Sequence, residues 1–286
     1  MPELPEVETV ARLIRGPLEG RSIEGVRVEW ERSLGGASRR AFSRSMRGAR
    51  VRSVGRRGKY VVLALERAGA EAGFVLVHLR MSGRLHVDAA EEPEREYTRV
   101  ACALSGGSEL RFVDVRKFGR FRFVRDAQDV LGELGPEPLS SGFDGAWLHA
   151  ALRARRRLLK PLLLDQAFLA GLGNIYVDEA LFRARLHPLE ASDRVSAGKA
   201  AALADAIRGT LTEAIEREGS SFDAFYRTPE GNPGGYQHQF QVYGREGRPC
   251  RRCGRDVERI VVGQRGTHLC PRCQPRPRRR ARGTGR

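Results

Sequence analysis

The sequence predicts an α+β protein with more than one domain, and three observations support this prediction. Up to about residue 130, short segments alternate apolar and polar residues between turns rich in glycine, serine and acidic residues, which is typical of antiparallel strands. From Trp147 onward, apolar residues recur at helical spacing. Near the end of the chain, four cysteines form two close pairs, which indicates a small metal-binding segment. A chain of 286 residues is long enough for two domains, each with its own core.

The first predicted element is a helix from about Pro5 to Leu18. Proline suits the first helical position, Glu6 and Glu8 suit the first turn, and the apolar residues from Val7 onward form one face. Seven strands are predicted next, at Ile23–Trp30, Ala49–Val54, Tyr60–Leu65, Phe74–His78, Arg99–Leu104, Glu109–Val113 and Phe121–Val124. Their spacing fits an antiparallel sandwich or barrel.

The segment Leu134–Gly142 is rich in proline, glycine and serine, which predicts a linker. Four helices are predicted after it, at Trp147–Arg157, Lys160–Leu169, Asn174–Ala184 and Ala197–Glu218. We expect Ser220–Tyr243 to be a long loop that leads into a strand, because it has several glycines and little periodicity. The tail Gln274–Arg286 is rich in arginine and proline, and we expect it to be disordered.

The formal charge of +16 and the isoelectric point near 10.6 favour a polyanionic partner. An anionic membrane surface is the alternative, but no basic amphipathic helix with a bulky apolar face supports it. No apolar run approaches the roughly 20 residues of a membrane span. No secretory signal is visible at the N-terminus, so we expect a cytoplasmic protein.

The first residues of the chain suggest covalent chemistry. If Met1 is removed, the chain begins with the secondary amine of Pro2, and a free α-amino group has a pKa near 8. Such an amine can form an iminium with a carbonyl carbon, and the neighbouring Glu3 can transfer protons. The same residues also fit an ordinary helix start, and taken alone they favour that interpretation.

The cysteines give the most specific local pattern. Cys250 and Cys253 are separated by two residues, as are Cys270 and Cys273, and this spacing predicts one structural zinc ion bound by four thiolates. Disulfides are the alternative, but an odd cysteine total in a cytoplasmic chain argues against them. The fifth cysteine, Cys102, lies alone in a strand and is expected to be buried as a small apolar residue.

Two further motifs carry candidate phosphate ligands. Arg265 lies in a glycine-flanked turn between the cysteine pairs, where its guanidinium either points to a phosphate or reacting sugar or is simply solvated. Asn174 follows a glycine turn at a predicted helix N-terminus, which suits a phosphate oxygen or plain helix capping. Lys160 and Arg155 add positive charge on the preceding helical stretch.

Three turns in the N-terminal half combine basic and apolar residues. Met81 lies in one turn, and Arg116 and Phe118 lie in another; in a basic protein they suit insertion into a duplex from which a nucleotide has been extruded. The alternative is that Met81 and Phe118 cover the edge of the sheet. Lys59, in a glycine-flanked turn before a strand, is either a phosphate contact or a catalytic amine.

Together these motifs resemble the bacterial formamidopyrimidine-DNA glycosylases, relatives of endonuclease VIII. The resemblance runs from Pro2 to Cys273. Its landmarks are Pro2–Thr9, Gly58–Tyr60, His78–Gly83, Lys160 with Asp165, Gly171–Tyr176, Val242–Arg245, Arg265 and the four cysteines. Leu4 is typical of the branch that acts on purine lesions.

The resemblance implies an N-terminal antiparallel β-sandwich with flanking helices, a helical helix–two-turn–helix domain and a β-hairpin zinc finger. We therefore predict a catalytic domain at residues 1–135, a linker at 136–146, a DNA-binding domain at 147–243, a zinc finger at 244–274 and a tail at 275–286. It also implies a monomer, associated with the nucleoid, that acts on double-stranded DNA containing an oxidised base.

The resemblance implies catalytic roles for four residues. Pro2 matches the nucleophile that forms a Schiff base with C1′ of the damaged nucleotide, and Glu3 matches the acid that protonates the sugar ring oxygen. Lys59 matches the general acid/base group associated with β-elimination. Arg265 matches the arginine assigned to δ-elimination and to holding the phosphate of the lesion.

The resemblance also implies a set of DNA contacts. The residues that fill the gap left by the flipped base correspond to Met81, Arg116 and Phe118. Phosphate contacts correspond to Arg116, Arg155 and Asn174, and a lysine near the oxidised purine corresponds to Lys160.

The chain departs from the family pattern at several of these loops. Tyr97 stands where relatives often have a DNA-contacting histidine, Arg80 replaces a glycine, and Val115 and Lys117 replace the usual proline and arginine. The loop Thr228–Gly235, where relatives hold the lesion base, is too variable for contacts to be assigned. The resulting prediction is a bifunctional glycosylase and AP lyase for oxidised purines. The alternatives are an endonuclease VIII-like enzyme for oxidised pyrimidines and a non-catalytic zinc-finger protein that binds damaged DNA.

Overall fold

The computed structural model describes residues 1–221 and 226–277. The chain packs into two compact units. Of the described residues, those in 1–134 and 212–238 form the first unit, and those in 135–211 and 239–277 form the second. The first change of unit falls between residues 134 and 135.

The first unit contains eight strands in two antiparallel sheets. The strands are β1 (Ile23–Val28), β2 (Arg50–Arg57), β3 (Tyr60–Arg67), β4 (Ala70–His78), β5 (Gly83–Ala89), β6 (Thr98–Leu104), β7 (Ser108–Asp114) and β8 (Arg120–Val124). One sheet has the order β1-β6-β7-β5, and the other has the order β2-β3-β4-β8. All pairs are antiparallel.

The two sheets share one apolar core, so the unit is a sandwich. Val100 and Phe112 of one sheet belong to the same buried cluster as Val61 and Phe121 of the other. The rings of Phe112 and Phe121 lie 5.8 Å apart. Helix α1 (Leu4–Leu18) buries its apolar face in the same cluster.

One strand and two α-helices of this unit escape sequence prediction. No strand is predicted where β5 lies, because the polar His86 and Asp88 are buried and hide the alternation of the strand. Helix α2 (Arg39–Met46) consists mostly of arginine and serine, and it buries only Phe42 and Met46. A further helix, α3 (Gln128–Leu131), packs Leu131 against the outer face of the second sheet.

The second unit is helical and ends in a hairpin. Its helices are α4 (Gly145–Arg153), α5 (Leu159–Leu163), α6 (Asn174–Arg183) and most of α7 (Ala197–Glu216). The hairpin consists of β9 (Glu258–Val262) and β10 (Arg265–Leu269). All four predicted helices exist, but α4 ends at Arg153 and α5 is a short turn of helix.

The described residues of the predicted loop Ser220–Tyr243 contain one short 3₁₀ helix, Tyr236–Gln239. The strand expected directly after this loop is instead β9, which begins only at Glu258. Residues 278–286 of the predicted disordered tail, and residues 222–225 of the loop, lie outside the described residues. No helix in the described part of the chain is long and apolar enough to cross a membrane.

Candidate functional site

The first residues of the chain are held in place by a buried carboxylate. Pro2 is buried, and Glu3 is only 4% exposed as the N-cap of α1. The backbone N–H of Glu3 donates to Oε2 of Glu6 over 2.8 Å. Oε1 of Glu6 accepts hydrogen bonds from the backbone N–H of Ser220 at 2.8 Å and from its hydroxyl at 3.3 Å. Glu6 therefore joins the N-cap to a segment more than 200 residues away in sequence.

Lys59 lies at the tip of the β2–β3 hairpin. Gly58 and Lys59 form the two-residue loop between the paired residues Arg57 and Tyr60, and Gly58 has a φ of 55°, which suits glycine. Nε of Arg56, on the same hairpin, lies 2.9 Å from Oε2 of Glu8 on α1. This ion pair fastens the hairpin to the helix that carries Pro2 and Glu3. Lys59 is only 7% exposed.

A buried histidine lies close to this hairpin. The ring of His78 contacts the ring of Tyr60 edge to face, with centroids 4.8 Å apart. Burial, followed by the charges of Arg80 and Lys59, lowers the pKa of His78 to about 3. Its Nδ1 accepts from the backbone N–H of Arg80 at 3.1 Å, so the neutral ring carries its proton on Nε2. The ring can therefore donate one hydrogen bond from Nε2 without carrying charge.

The duplex-inserting candidates project from neighbouring loops of the sandwich. Phe118 is 49% exposed, and the guanidinium of Arg116 lies 5.0 Å from the centre of its ring. Met81, on the other loop, is half-buried. Lys117, between Arg116 and Phe118, places its ammonium 4.3 Å from the centre of the Trp30 ring. An apolar group and a guanidinium thus stand together at an exposed tip, as insertion into a duplex requires.

Tyr97 occupies a third turn at this end of the sheet. Its side chain is 43% exposed, and the guanidinium of Arg99 lies 5.5 Å from its ring. Its φ is 65°, which is unusual for a residue other than glycine. Its carbonyl accepts from the backbone N–H of Asp114 at 3.0 Å, which ties this turn to the end of β7.

In the second unit, the structure brings Lys160, Asn174 and the Arg265 strand together. The carbonyl of Gly266 accepts from Nζ of Lys160 at 3.1 Å and from Nδ2 of Asn174 at 3.0 Å. Arg265 itself is exposed at the start of β10. Gly263 and Gln264 form the two-residue hairpin turn with φ values of 55° and 62°, as a type I′ turn needs.

Lys160 is completely buried. Its Nζ lies 2.6 Å from Oδ1 of Asp178, whose other oxygen accepts from the backbone N–H of His268 at 2.8 Å. Asp178 thereby links α5 and α6 to the zinc hairpin. Burial of an ammonium is tolerable only with such a partner, so this network fixes the hairpin on the helices.

The side chain of Arg155 contacts its own helix and an aromatic ring further along the chain. Its Nη1 donates to the carbonyl of Ala151 at 2.9 Å, and its guanidinium lies 5.0 Å from the ring of Phe168. The guanidinium is exposed just beyond the end of α4.

The four predicted zinc ligands converge. Their Sγ atoms all lie within 4.8 Å of one another. The Sγ distance is 4.0 Å between Cys250 and Cys273 and 3.5 Å between Cys253 and Cys270. Four thiolates about 2.3 Å from one tetrahedral centre would be about 3.8 Å apart, so the cluster fits a zinc ion. Cys102, in contrast, is buried in the sandwich core, where burial raises its pKa to about 12.

Sequence reasoning misses the buried acids that organise these loops: Glu6, Asp114, Asp178 and Glu179. Only Glu6 has a readable signal, because a carboxylate three residues after Glu3 fits a capping box. Glu179 accepts from the backbone N–H groups of residues 241–243, all within 3.0 Å. That contact joins positions about 60 residues apart, which no local pattern reveals.

Comparisons with known proteins match this arrangement over nearly the whole chain. Residues 1–121 match the family model of the formamidopyrimidine-DNA glycosylase N-terminal domain, and residues 134–225 match that of the formamidopyrimidine-DNA glycosylase H2TH domain. Residues 247–276 match a zinc finger found in FPG and IleRS. The four-cysteine cluster is therefore a site for one structural zinc ion, as predicted.

Individual relatives are similar to this chain over nearly its whole length. A formamidopyrimidine-DNA glycosylase from Heliobacterium modesticaldum is 46% identical over 281 residues, which span 96% of this chain and 100% of that protein. The crystal structure of the MutM (Fpg) protein from Thermus thermophilus is similar with a TM-score of 0.85 and 43% identity, over 97% of this chain and 100% of that one. A structure of MutM in complex with DNA containing carbocyclic 8-oxo-G has a TM-score of 0.86 and 34% identity, over 96% and 100% of the two chains.

These matches confirm the predicted fold class, with its antiparallel sheets, helical domain and zinc-finger hairpin. Apart from Val242–Arg245, the landmarks of the resemblance all lie in the segments that the family models match. The chain belongs to the formamidopyrimidine-DNA glycosylase family.

Proposed function

We propose that the chain excises oxidised purines through a Schiff base on Pro2 and then cleaves the DNA strand by β,δ-elimination. As a family member, it is a DNA glycosylase and AP lyase of base excision repair, and its partner is double-stranded DNA with an oxidised base. The observation that carries the covalent step is the N-cap itself: Pro2 and Glu3 are held by the hydrogen bond from the N–H of Glu3 to the buried Glu6.

The proposed chemistry begins when Met1 has been removed. The secondary amine of Pro2 attacks C1′, and the bond from C1′ to the base nitrogen breaks; the base leaves with a proton. Glu3 then protonates the ring oxygen, the bond from C1′ to that oxygen breaks, and the amine loses its proton as the iminium forms.

The iminium makes the C2′ proton acidic. Removal of that proton expels the 3′ phosphate, and removal of the C4′ proton expels the 5′ phosphate in the same way. Hydrolysis then frees the amine. Lys59, on the hairpin fastened to α1, is proposed as the general acid/base of β-elimination, and Arg265 is proposed to act in δ-elimination and on the phosphate of the lesion.

The DNA contacts are proposed on the same basis. Extruding a base costs roughly a few kcal/mol, and Met81, Arg116 and Phe118 are proposed to offset it by filling the gap. Arg155, Asn174, Tyr97 and Arg116 are proposed to contact the DNA backbone; Asn174 is half-buried, and the other three side chains are exposed. Lys160 is also proposed to act at the DNA; because it is buried against Asp178, we propose that it acts through the Gly266 carbonyl beside Arg265.

The zinc site has a structural role in this proposal. The four cysteines would hold the ion, and the ion would supply a crosslink that keeps β9 and β10 in place. We retain the functional division into residues 1–135, 136–146, 147–243, 244–274 and 275–286. We also propose that the protein acts as a monomer in the cytoplasm, associated with the nucleoid.

Borohydride trapping on a duplex with 8-oxoguanine tests the covalent step. We expect a protein–DNA adduct from the processed chain, with peptide mapping that places the link on Pro2. Pro2→Gly and a form that retains Met1 should give no such adduct, while Pro17→Ala, which changes a proline at the far end of α1, should give it at the level of the unchanged chain.

Two outcomes would contradict the proposal. If the processed chain binds the lesion duplex tightly and forms no adduct, the protein is a binding module. If it releases thymine glycol in preference to 8-oxoguanine, its substrates are those of the endonuclease VIII branch.

A further inference from the structure

Asp114, at the end of β7, contacts both loops that carry the inserting residues. Its side chain is completely buried, with 0% exposure. Oδ1 accepts from the hydroxyl of Ser82 at 2.5 Å and from the backbone N–H of Arg116 at 3.3 Å. The same N–H also donates to Oγ of Ser82 at 3.2 Å, so the hydroxyl and the carboxylate hold it together. Oδ2 accepts from the backbone N–H of Gly119 at 2.7 Å. Ser82 directly follows Met81, and Arg116 and Gly119 bracket the loop of Phe118.

The backbone of Asp114 extends the connection to a third turn. Its N–H donates to the carbonyl of Tyr97 at 3.0 Å, and its carbonyl accepts from Nε of Arg99 at 2.8 Å. In the sheet it pairs with Gly83, the first residue of β5. Three neighbouring turns are thus joined through one residue.

Where the two inserting loops meet the sheet, neighbouring atoms leave no space for a side chain larger than that of glycine. A Cβ at Gly119 would lie 2.5 Å from Cζ of Phe112 and 3.1 Å from Oδ2 of Asp114. A Cβ at Gly83 would lie 2.5 Å from the carbonyl oxygen of Leu79. Each loop also contains a residue with positive φ, Arg80 at 54° and Lys117 at 61°, and such conformations persist only where the surroundings hold them.

The hydrogen bonds require a carboxylate rather than any side chain of that size. All three groups that face Asp114 are donors: one hydroxyl and two backbone N–H groups. An ionised carboxylate offers acceptors only, so it can satisfy all of them at once, whereas an amide would turn one of its donors toward a donor.

We propose that Asp114 is a positioning residue that sets the two inserting loops as one rigid body, so that Met81, Arg116 and Phe118 enter the duplex together. The inference rests on the proposed inserting role of those three residues. Asp114 itself touches no DNA, because its carboxylate is fully enclosed. Its contribution is therefore to extrusion of the damaged base, and not to the bond-breaking steps at Pro2.

The test compares Asp114→Asn with the unchanged chain on two substrates. The first is duplex DNA with 8-oxoguanine, where excision under single-turnover conditions requires base extrusion. The second is a single strand with a preformed abasic site, where borohydride trapping requires no gap to be filled. We expect excision to fall about tenfold or more, as the loss of charge-assisted hydrogen bonds implies, while the trapping rate stays within about twofold. Asp129→Asn, the same change at an exposed position, should leave both rates unchanged.

Base extrusion can be followed directly by the fluorescence of 2-aminopurine next to the lesion. Asp114→Asn should slow the fluorescence rise by the same factor as excision. Ser82→Ala removes only the hydroxyl and should lower the rates of excision and of the fluorescence rise. This variant therefore tests the inference if Asp114→Asn does not fold. Equal losses on the two substrates, or no loss on the duplex, would overturn the inference. Absence of any adduct from the unchanged chain on the abasic strand would instead refute the covalent chemistry at Pro2.

Discussion

His78 makes a pH-dependent contribution to stability that can be worked out from its surroundings. An unfolded histidine has a pKa near 6.5, whereas burial and the nearby charges of Arg80 and Lys59 lower the folded pKa to about 3. Between these values the unfolded chain binds a proton that the folded chain does not. The free energy of unfolding is therefore unaffected by His78 above the unfolded pKa, and it decreases as the pH falls below about 6.5.

His78→Gln should remove this pH dependence. The glutamine can still accept from the N–H of Arg80, but it does not titrate. Between pH 7 and pH 5 the unchanged chain should lose about 2 kcal/mol more of its free energy of unfolding than His78→Gln does. Denaturant unfolding followed by fluorescence at the two pH values measures the difference. His238→Gln, at an exposed position, should lose as much as the unchanged chain, and an equal loss in His78→Gln would contradict the assignment.

Individual residues of the site differ in how far the sequence reveals them. The four zinc ligands are recognisable because the pattern lies in the spacing of neighbouring cysteines. The roles proposed for Pro2 and Glu3 likewise rest on adjacent residues. The charge of Lys160 suggests a direct DNA contact, but its burial against Asp178 cannot be foreseen, since that partner lies 18 residues away on another helix. The capping-box contact of Glu6 can be foreseen, but its second partner, Ser220, cannot, because it is 214 residues away.

At the scale of elements, the zinc hairpin depends on its ligands for its geometry. The strands β9 and β10 are only five residues long each, and a two-stranded hairpin of that length is marginal without further support. Asp178 holds one strand through the N–H of His268, and the cysteine cluster closes the base of the hairpin. Arg265 should therefore keep its position only while the metal site is intact.

Cys253→Ser should lose zinc and affinity for DNA together. Loss of one thiolate from a four-cysteine site removes most of the binding free energy that orders the hairpin, and we expect affinity for a lesion duplex to fall by about tenfold or more. Metal content measured by mass spectrometry and affinity measured by fluorescence anisotropy provide the two readouts. Cys102→Ala changes a cysteine of the sandwich core and should keep both zinc and affinity. Unchanged DNA binding by a zinc-free Cys253→Ser protein would refute the structural role of the finger.

The success of sequence reasoning on elements follows the clarity of their periodicity. Helix α1 shows one clean apolar face and β3 a short apolar run, and the sequence predicts both to within a few residues. Strand β5 escapes prediction because it turns the polar His86 inward, where its Nδ1 contacts the carbonyl of Pro229 at 2.8 Å. Helix α2 escapes because two buried residues, one turn apart, are too few to establish a helical period.

At the scale of the whole molecule, the excess of arginine sets the strength of binding to DNA of any sequence. The net charge is +16, and five of the arginines lie beyond residue 277. Each phosphate neutralised by a basic side chain releases counterions, which makes the affinity fall with salt. The proposed specific contacts lie within the matched domains or beside them, whereas these tail arginines contribute charge without belonging to any matched domain.

A chain that ends at residue 277 should therefore bind undamaged duplex DNA with a weaker dependence on salt. The slope of log affinity against log salt changes by about 0.9 for each phosphate that is no longer neutralised, so removal of five arginines should reduce its magnitude by up to about 4 to 5. Fluorescence anisotropy titrations between about 50 and 200 mM salt measure the slope.

A full-length control in which the five arginines are replaced by lysine should keep the slope, because the charge is unchanged. Single-turnover excision of 8-oxoguanine at saturating protein should be the same in all three forms, since none of the proposed catalytic residues is altered. An unchanged slope in the shortened chain would show that the charge responsible for binding lies entirely within residues 1–277.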